Sequence, residues 1–492
     1  MAPTRHVQQP PEATEAQEIE LKLEFDPADW RRLEAAIARL GRGRFRHLVT
    51  TYFDTPERDL AEAGYTLRVR QSGDRYVQTV KDAGRAGAGL FARTEWERPL
   101  AGAQPQLDEG SGPIVASLGA QKLDRIQPVF VTDVRRKTLR LTGPDGDIEL
   151  AVDRGEIRAG ARSESLGEIE CESRGAAIAP LFALARQLNE QVPLRLSVRA
   201  KSERGRALAR AAPPRAWKAE PITLDRHAGA HDAFRVIALA CIRHFRLNEA
   251  AVSLSGDAEA LHQARVALRR LRSAFAIFKP VLGGDAKMLL LDAELRWLAG
   301  ILGEVRNIDV LIEHLGGARA RLRDARAQAF ARARAELASS RTRLLMIDLA
   351  EWLSGDASGA TARPARAHDD MRHFARARLE KLRHRLDHDG AGLGTLDDRR
   401  RHRVRIEAKK LRYAAEFFSS LFTSDRARRR YRQFIGELEQ LQEALGALND
   451  LVIGRGLAAR HAVDPLPKKS GRRLRDRAEA AFDRLVRTKD FW

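Results

Sequence analysis

Between residues 18 and 205, apolar and polar positions alternate in short stretches. The first stretch, EIELKLEF at 18–25, places Ile, Leu, Leu and Phe on one side and charged residues on the other. A period of two is typical of β-strands that have one apolar and one polar face. Seven further stretches alternate in the same way, and turn sequences such as GPDGD separate them. The pattern predicts an antiparallel sheet built from hairpins, with helices over 26–40 and 175–191.

After a Pro-rich stretch at 210–224, the apolar positions change to helical spacing. That stretch has no periodicity, so it predicts a linker between a domain at 18–209 and a domain at 225–492. The second domain reads as helical nearly throughout, with a break near 353–370. The polar, Pro-rich segment 1–17 predicts a disordered arm. The expected fold class is α+β with two domains, a sheet followed by an all-α region.

The helical region contains two stretches that repeat in register. HQARVALRRLR begins at His262 and HRVRIEAKKLR begins at His402; both place Arg three residues after His, two bases at the seventh and eighth positions, and Arg at the tenth. LGEVRNIDV at 302–310 is echoed by LGALNDLVI at 445–453. Because the offsets are 140 and 143 residues, the sequence predicts a duplicated helical unit.

Each repeat places its bases in one stripe, since positions 0, 3, 7 and 10 fall on one face of a helix. Such a stripe is either a solvated basic face or a binding surface, and its duplication favours a binding surface. Asn and Asp residues of the second echo (307, 309, 449 and 450) are expected to be caps or helix–helix contacts. The two stripes comprise His262, Arg265, Arg269 and Arg272, and His402, Arg405, Lys409 and Arg412, with Arg270 and Lys410 at the rim.

The charge of the chain is concentrated in this helical part. The 492 residues include 87 Lys and Arg against 67 Asp and Glu, a net charge of +20. Residues 1–220 hold 35 basic and 32 acidic residues, whereas the remainder holds 52 and 35. A surplus of that size favours a polyanionic partner. Aromatic residues are 6% and no nucleic-acid module is evident, which argues against nucleic acid.

The cysteine count and the apolar runs indicate the compartment. Cys171 and Cys241 form no CxxC motif or disulfide framework, which fits a reducing environment. The N-terminus has no apolar signal region, and no apolar run approaches the roughly 18–20 residues that span a bilayer. We therefore expect a cytoplasmic protein without membrane contact.

Acids and bases fall on the polar faces of the predicted strands in pairs two residues apart. Side chains at i and i+2 of a strand point the same way, about 7 Å apart. A pair of carboxylates can share a divalent cation, and a pair of guanidiniums can hold neighbouring phosphates. These faces are either wet outer surfaces or, if the sheet closes, the lining of a lumen. The acids are Glu18, Glu20, Glu149, Asp153, Glu168, Glu170 and Glu172; the bases are Lys22, Arg68, Arg70, Lys81, Arg93, Arg136 and Lys201.

Residues 18–206 resemble the CYTH superfamily, the triphosphate tunnel metalloenzymes. EIELK matches the ExExK signature of that family, and LRVR, TVK, RTEWE, ELAVDRGEI, EIECE and AKSERG follow in order. The resemblance implies an eight-stranded tunnel β-barrel that acts on triphosphates with Mg²⁺ or Mn²⁺. Members include inorganic triphosphatases, thiamine triphosphatases and class IV adenylate cyclases.

The resemblance also implies roles for the charged residues. Glu18, Glu20, Glu168 and Glu170 would bind metal, whereas Glu149, Asp153 and Glu172 would bind a second metal or orient water. The bases Lys22, Arg68, Arg70, Lys81, Arg93, Arg136 and Lys201 would bind phosphates. The residues expected to act in catalysis are Glu18, Glu20, Lys22, Asp153 and Glu170.

Residues 225–492 resemble the CHAD domain, a conserved-histidine α-helical domain, on the basis of the two repeats. The resemblance implies two pseudo-symmetric helical bundles whose basic helices bind inorganic polyphosphate. We therefore expect an inorganic triphosphatase acting on tripolyphosphate, joined to a domain that binds long-chain polyphosphate. The alternatives are an adenylate cyclase, a thiamine triphosphatase, or a non-enzymatic protein that targets polyphosphate granules.

Overall fold

The chain divides into two compact units, Met1–Pro213 and Pro214–Trp492. The structure is a computed structural model. It describes residues 16–82, 85–86, 89–108, 113–143, 146–174, 177–211, 216–315, 320–355, 370–461 and 470–492.

The first unit is an antiparallel sheet with short helices between its strands. Its strands are β1 (Ala16–Glu24), β2 (Arg44–Asp54), β3 (Tyr65–Ser72), β4 (Arg75–Asp82), β5 (Arg85–Ala86), β6 (Leu90–Leu100), β7 (Gln127–Leu141), β8 (Ile148–Ala159), β9 (Arg162–Ser173) and β10 (Arg195–Leu196). Its helices are α1 (Trp30–Leu40), α2 (Asp59–Glu62), α3 (Ile114–Leu118), α4 (Ala120–Leu123), α5 (Ala179–Gln191) and α6 (Lys201–Ala209).

The strand order of the sheet is β10-β1-β9-β8-β7-β2-β3-β4-β6-β5, and β1 also pairs with β6. Residues 16–21 of β1 pair with β6, and residues 20–24 pair with β9. The antiparallel sheet is confirmed, but the expected number of eight strands is wrong. The described sheet has ten strands, because β5 and β10 add two-residue strands to the eight long ones.

Two other details differ from the sequence prediction. Ala16 and Gln17, assigned to a disordered arm, belong to β1, while residues 1–15 lie outside the described part of the chain. The strand predicted up to Lys201 is reduced to β10, and Lys201 instead begins α6. The reason is local: the backbone N–H of Ala200 donates to Glu203 Oε2 at 3.0 Å, which caps the start of the helix.

The apolar faces of the sheet are packed under helices, which determines where the charged faces point. Leu21 and Leu23 on β1 and Ile169 on β9 are fully buried, and α5 packs on both strands. Alternate residues of these strands, which are charged, therefore face away from α5. Helix α6 packs on β7, β8 and β9. It approaches closely, since a Cβ at Gly205 would lie 2.1 Å from Phe130 Cε2.

The described part of the second unit is helical, as predicted. Its two halves show the same order of packing. In the first half α7 packs on α8, α8 on α9 and α9 on α10; in the second, α12 packs on α13, α13 on α14 and α14 on α15. The helices are α7 (Ala230–Ser255), α8 (Ala258–Leu282), α9 (Ala286–His314), α10 (Ala320–Leu337), α11 (Ser340–Ser354), α12 (Met371–Gly390), α13 (Asp398–Phe418), α14 (Asp425–Arg460) and α15 (Ser470–Arg487).

The predicted repeats lie on corresponding helices. The stretch headed by His262 is on α8 and the stretch headed by His402 is on α13, and these two helices pack on each other. Most of the predicted break near 353–370 falls outside the described residues. A search of the described helices found none that combines the length and the apolar character needed to cross a membrane.

Candidate functional site

The charged faces of the sheet line a cavity of about 210 Å³. Side chains from eight strands and from the start of α6 surround it. Its charged lining residues are Glu20, Lys22, Arg68, Arg70, Lys81, Glu95, Glu97, Arg136, Glu149, Glu170, Glu172, Arg174 and Lys201.

Three acidic side chains of β8 and β9 form a cluster at this cavity. Asp153 is opposite Glu168 in the ladder, and Glu170 lies two residues further along β9. One oxygen from each of the three lies within 4.8 Å of the others. Asp153 and Glu168 are almost fully buried, and Glu168 Oε2 has no hydrogen-bond partner among the described residues. Carboxylate oxygens are the ligands that Mg²⁺ and Mn²⁺ prefer, so this three-carboxylate cluster fits a divalent ion.

Three bases from other elements contact the three-carboxylate cluster, and two of them, Arg136 and Lys201, reach Asp153. Arg136 on β7 donates two hydrogen bonds of 2.7 Å to Asp153 and one of 2.6 Å to Glu170. Lys201 Nζ lies 2.9 Å from Asp153 Oδ2 and 2.9 Å from Glu170 Oε1, and it also donates to Glu168. The cluster is therefore already held by cations of the protein itself.

Burial and these bases shift the pKa values of the three acids in opposite directions. Burial alone would raise the pKa of Asp153, but Lys201 and Arg136 lower it to about 2. Burial likewise opposes ionisation of Glu170, and Lys201 and Lys22 nevertheless hold its pKa well below the usual value. For Glu168, burial outweighs the effect of Lys201 and the pKa is raised. Asp153 and Glu170 are therefore ionised at neutral pH.

Lys22 connects this cluster to Glu20. Its Nζ donates to Glu170 Oε1 at 2.8 Å and lies 3.0 Å from Glu20 Oε1. Burial opposes its charge, but Glu170 and Glu20 attract it, and the net effect raises the pKa of Lys22. The position confirms the parity assignment of the first strand, because Glu20 and Lys22 both line the cavity.

A second group of bases lies on β3 and β4. Arg68 and Arg70 are alternate residues of β3, and Lys81 on β4 donates to Glu95. Arg70 Nε is buried and has no hydrogen-bond partner in the described part of the chain. The neighbouring Arg68, burial and Arg136 lower the pKa of Arg70 to about 10. A partly buried guanidinium whose Nε has no partner is suited to bind an anionic ligand.

The other predicted metal ligands are separate from the three-carboxylate cluster. Glu20 and Glu149 each lie opposite Glu172 in the strand ladders, and all three line the cavity. Arg174, which the sequence prediction missed, is 2.8 Å from Glu149 and 3.5 Å from Glu172. Arg174 could have been predicted from the sequence, because it lies two residues after Glu172 and so falls on the same face of the alternating pattern. Glu18 and Arg93 are paired across β1 and β6, and their side chains lie outside the described ones.

In the helical unit, four bases from the two stripes come together. We call Arg265 and Arg269 of α8, with Arg405 and Lys409 of α13, the central basic cluster. Arg269 Nε donates to Tyr413 Oη at 2.8 Å, whereas the other three make no ion pair within the described residues. Arg405 Nε is buried without a hydrogen-bond partner there.

The bases of this cluster lower one another's pKa values. Burial, Arg269 and Arg405 lower the pKa of Arg265 to about 10. Burial and the same two arginines lower the pKa of Lys409 to about 6. The nearest negative charge acting on both is Asp450. The sequence prediction placed Asp450 among caps and contacts and missed this role.

The two histidines have different surroundings. His262 Nδ1 is buried without a partner among described residues, and burial and Arg306 lower the pKa of His262 to about 4. His402 is exposed, and its Nδ1 lies 2.9 Å from Asn449 Oδ1. Arg306 and Asn449 occupy equivalent positions in LGEVRNIDV and LGALNDLVI. The sequence prediction did not name Arg306 as a site residue. The replacement of Arg306 by Asn449 at the equivalent position of the second stretch could have pointed to it.

The remaining predicted bases of the stripes are neutralised by acids instead of joining the cluster. The helical period predicts which face of its helix each base occupies. It does not predict which acids the neighbouring helices bring to that base. The pairs are Arg270 with Glu416, Arg272 with Asp292 at 3.0 Å, Lys410 with Glu407 at 2.6 Å, and Arg412 with Glu416 at 2.8 Å.

Comparison with known proteins identifies both parts of the chain. Residues 16–205 match the model of the CYTH domain, and residues 236–459 match that of the CHAD domain. An inorganic triphosphatase from Haemophilus influenzae is 30% identical over 197 residues, which cover 38% of this chain and 54% of that protein. The chain thus spans about half the length of this curated relative.

Solved structures resemble each part separately. The CHAD domain from the plant Ricinus communis is 29% identical and covers 56% of this chain and 94% of that one, with a TM-score of 0.41. A Hippeastrum adenylyl cyclase candidate with a dominant triphosphatase activity is 20% identical. It covers 39% of this chain and 95% of that one, with a TM-score of 0.32.

Proposed function

Since this chain belongs to the proteins that join a CYTH domain to a CHAD domain, we propose that it is a metal-dependent inorganic triphosphatase with a polyphosphate-binding helical domain. The observation that carries the proposal is the mixed charge of the sheet cavity. Glu170, one of the three acids that fit a divalent ion, lines the same cavity as Arg70, whose guanidinium has no acidic partner among the described residues. A metal–triphosphate complex requires both kinds of group in one place.

The chemistry follows from the position of each group. Asp153, Glu168 and Glu170 would hold the ion, and a divalent metal bound there would neutralise charge on the phosphoryl oxygens. Arg68 and Arg70 would bind the phosphates and stabilise charge that spreads over the transferred phosphoryl group and the leaving diphosphate. The pairing of β1 with both β9 and β6 supports the tunnel form of the site.

The lining favours an inorganic substrate. Tyr52 is the only aromatic side chain among the residues described as lining the cavity. An adenine or thiamine ring would have little surface on which to stack, whereas every phosphate of tripolyphosphate can meet a base. An adenylate cyclase or thiamine triphosphatase is therefore the less favoured alternative.

A phosphate-release assay tests this activity. Purified protein with Mg²⁺ or Mn²⁺ should hydrolyse tripolyphosphate faster than ATP, thiamine triphosphate or long-chain polyphosphate. Glu170→Gln should lower turnover by at least ~100-fold, because about 3 kcal/mol of transition-state stabilisation is lost. Glu156→Gln, on the same sheet but outside the cavity lining, is the matched control. Faster hydrolysis of ATP, or full activity of Glu170→Gln, would contradict the proposal.

The helical domain is proposed to bind long-chain polyphosphate without hydrolysing it. The support is the convergence of Arg265, Arg269, Arg405 and Lys409 on one place with little negative charge nearby. Closely spaced phosphates could relieve the repulsion among these bases, and binding should weaken with salt as counterions are released. His262 and Arg306 would extend the surface. Localisation in the cytoplasm, with association to polyphosphate granules, is part of this proposal.

A binding titration with two charge-matched variants tests the cluster. Alanine substitution of Arg265, Arg269, Arg405 and Lys409 should abolish polyphosphate binding by the full-length protein. The control removes four exposed bases from α14 and α15 and should bind nearly normally. Equal loss in both variants would show that only the overall charge matters. The control substitutions are Arg428, Arg429, Arg472 and Arg473 to Ala.

A further inference from the structure

Lys201 lies where a divalent ion would be expected to bind. It is the first residue of α6, and its ammonium contacts all three acids of the three-carboxylate cluster. The Nζ atom is 2.9 Å from Asp153 Oδ2, 2.9 Å from Glu170 Oε1, and hydrogen-bonded to Glu168. The Lys201 side chain is 11% exposed. The three acids are the same ones whose oxygens are spaced for a metal.

We propose that the Lys201 ammonium competes with the divalent ion for the three-carboxylate cluster and must leave when the ion binds. The inference rests on the proposed function, because it assumes that this cluster is the metal site. If Asp153, Glu168 and Glu170 held a divalent ion, that ion and the Lys201 ammonium would repel each other at close range. In a buried site such repulsion is screened much less than in water.

The other two bases at the cluster are less suited to this role. Lys22 contacts Glu170 from β1, and it also pairs with Glu20, which lies outside the three-carboxylate cluster. Arg136 holds Asp153 in a two-bonded fork from within β7, a rigid arrangement. Lys201 has a flexible stem of four carbons at the start of a helix, so its ammonium can move without moving a strand.

A displaced Lys201 would point into the cavity that it already lines. That cavity contains Arg68 and Arg70, and Arg70 has no hydrogen-bond partner for its Nε in the described chain. The released ammonium would add positive charge beside these two arginines, which an anionic ligand would neutralise. Metal and triphosphate should therefore each strengthen the binding of the other, because such coupling is reciprocal.

Direct binding of Mn²⁺ to the full-length protein, followed by the EPR signal of the free ion, tests the inference without catalysis. In the absence of triphosphate, Lys201→Met should bind Mn²⁺ at least ~10-fold more tightly than the wild type, a difference of about 1.4 kcal/mol. Lys137→Met is the matched control, because Lys137 is a lysine of the same sheet that pairs with Glu34 and lies outside the cavity lining. Its Mn²⁺ affinity should change less than about 2-fold, or about 0.4 kcal/mol.

A second titration adds an imido analogue of tripolyphosphate that resists hydrolysis. The analogue should tighten Mn²⁺ binding by the wild type. The difference in Mn²⁺ affinity between the wild type and Lys201→Met should therefore become smaller. Lys201→Gln serves as a second variant if Lys201→Met fails a thermal-melting check, and the same tightening is expected. Equal or weaker Mn²⁺ binding by the folded variants, with the wild type still binding, would overturn the inference and leave the proposed function intact. No Mn²⁺ binding by any variant would overturn the metal site itself.

Discussion

Arg70→Met should make the protein more stable and its triphosphate binding weaker. The neighbouring Arg68, burial and Arg136 lower the pKa of Arg70 from its ordinary value to about 10. That difference corresponds to roughly 3 kcal/mol against the charged form. The pKa of Arg70 is lower in the folded protein than in the unfolded chain. The charged guanidinium therefore destabilises the folded state by the full amount at every pH below about 10. Arg70 is only partly buried, so we expect a gain of about 1–2 kcal/mol.

The assay is thermal melting of the full-length protein with and without tripolyphosphate. For a domain of this size, each kcal/mol shifts the melting temperature by roughly 2–4 °C. Arg70→Met should therefore melt a few degrees above the wild type without ligand. It should gain less from tripolyphosphate, since ligand stabilisation depends on affinity.

The matched control is Arg136→Met, which removes a paired arginine from the same cavity. It leaves Asp153 buried without its two hydrogen bonds of 2.7 Å, and we expect a loss of about 3–5 kcal/mol. The two variants should thus move the melting temperature in opposite directions. A lower melting temperature for Arg70→Met, or an unchanged gain from ligand, would refute the reasoning that Arg70 is an unpaired phosphate ligand.

Two further results are expected. Burial, Arg269 and Arg405 lower the pKa of Lys409 to about 6, so polyphosphate affinity at constant salt should rise as the pH falls from about 8 to 6. Lys409→Met should flatten this profile, and an unchanged profile would exclude Lys409. A Cβ at Gly205 would lie 2.1 Å from Phe130 Cε2, so Gly205→Ala should displace α6 and lower both the melting temperature and triphosphate turnover. Gly436→Ala, a helix position with open space around it, should be neutral or stabilising.

Strand parity predicted much of the sheet site because the side-chain period is fixed at two. Once α5 covers Leu21 and Leu23, the alternate residues Glu20 and Lys22 can only face the other side. Parity failed at Lys201, where the alternation of LRLSVRAK continues although the chain has begun α6. The cap from Glu203 decides that boundary, and a period of two contains no information about caps.

Helical periodicity was less informative about the second site. It placed Arg269 in the stripe of α8 and Arg270 at the rim of that stripe, and only Arg269 joins the central basic cluster. Arg270 pairs with Glu416 of α13 and lies over the ring of Phe417, 5.0 Å from its centroid. Glu416 is 146 residues away in the chain. A spacing rule within one helix cannot identify an acid that a second helix brings to the base.

The two sites use positive charge in different ways, and this difference underlies the proposed division of functions. In the sheet cavity bases alternate with carboxylates, so a polyanion alone meets repulsion from Glu20, Glu170 and Glu172. A divalent ion would remove that repulsion, so we propose that triphosphate binding there depends on metal. In the central basic cluster the opposing charge is chiefly Asp450. We propose that polyphosphate binds such a site without metal, because bases alone can neutralise its closely spaced phosphates.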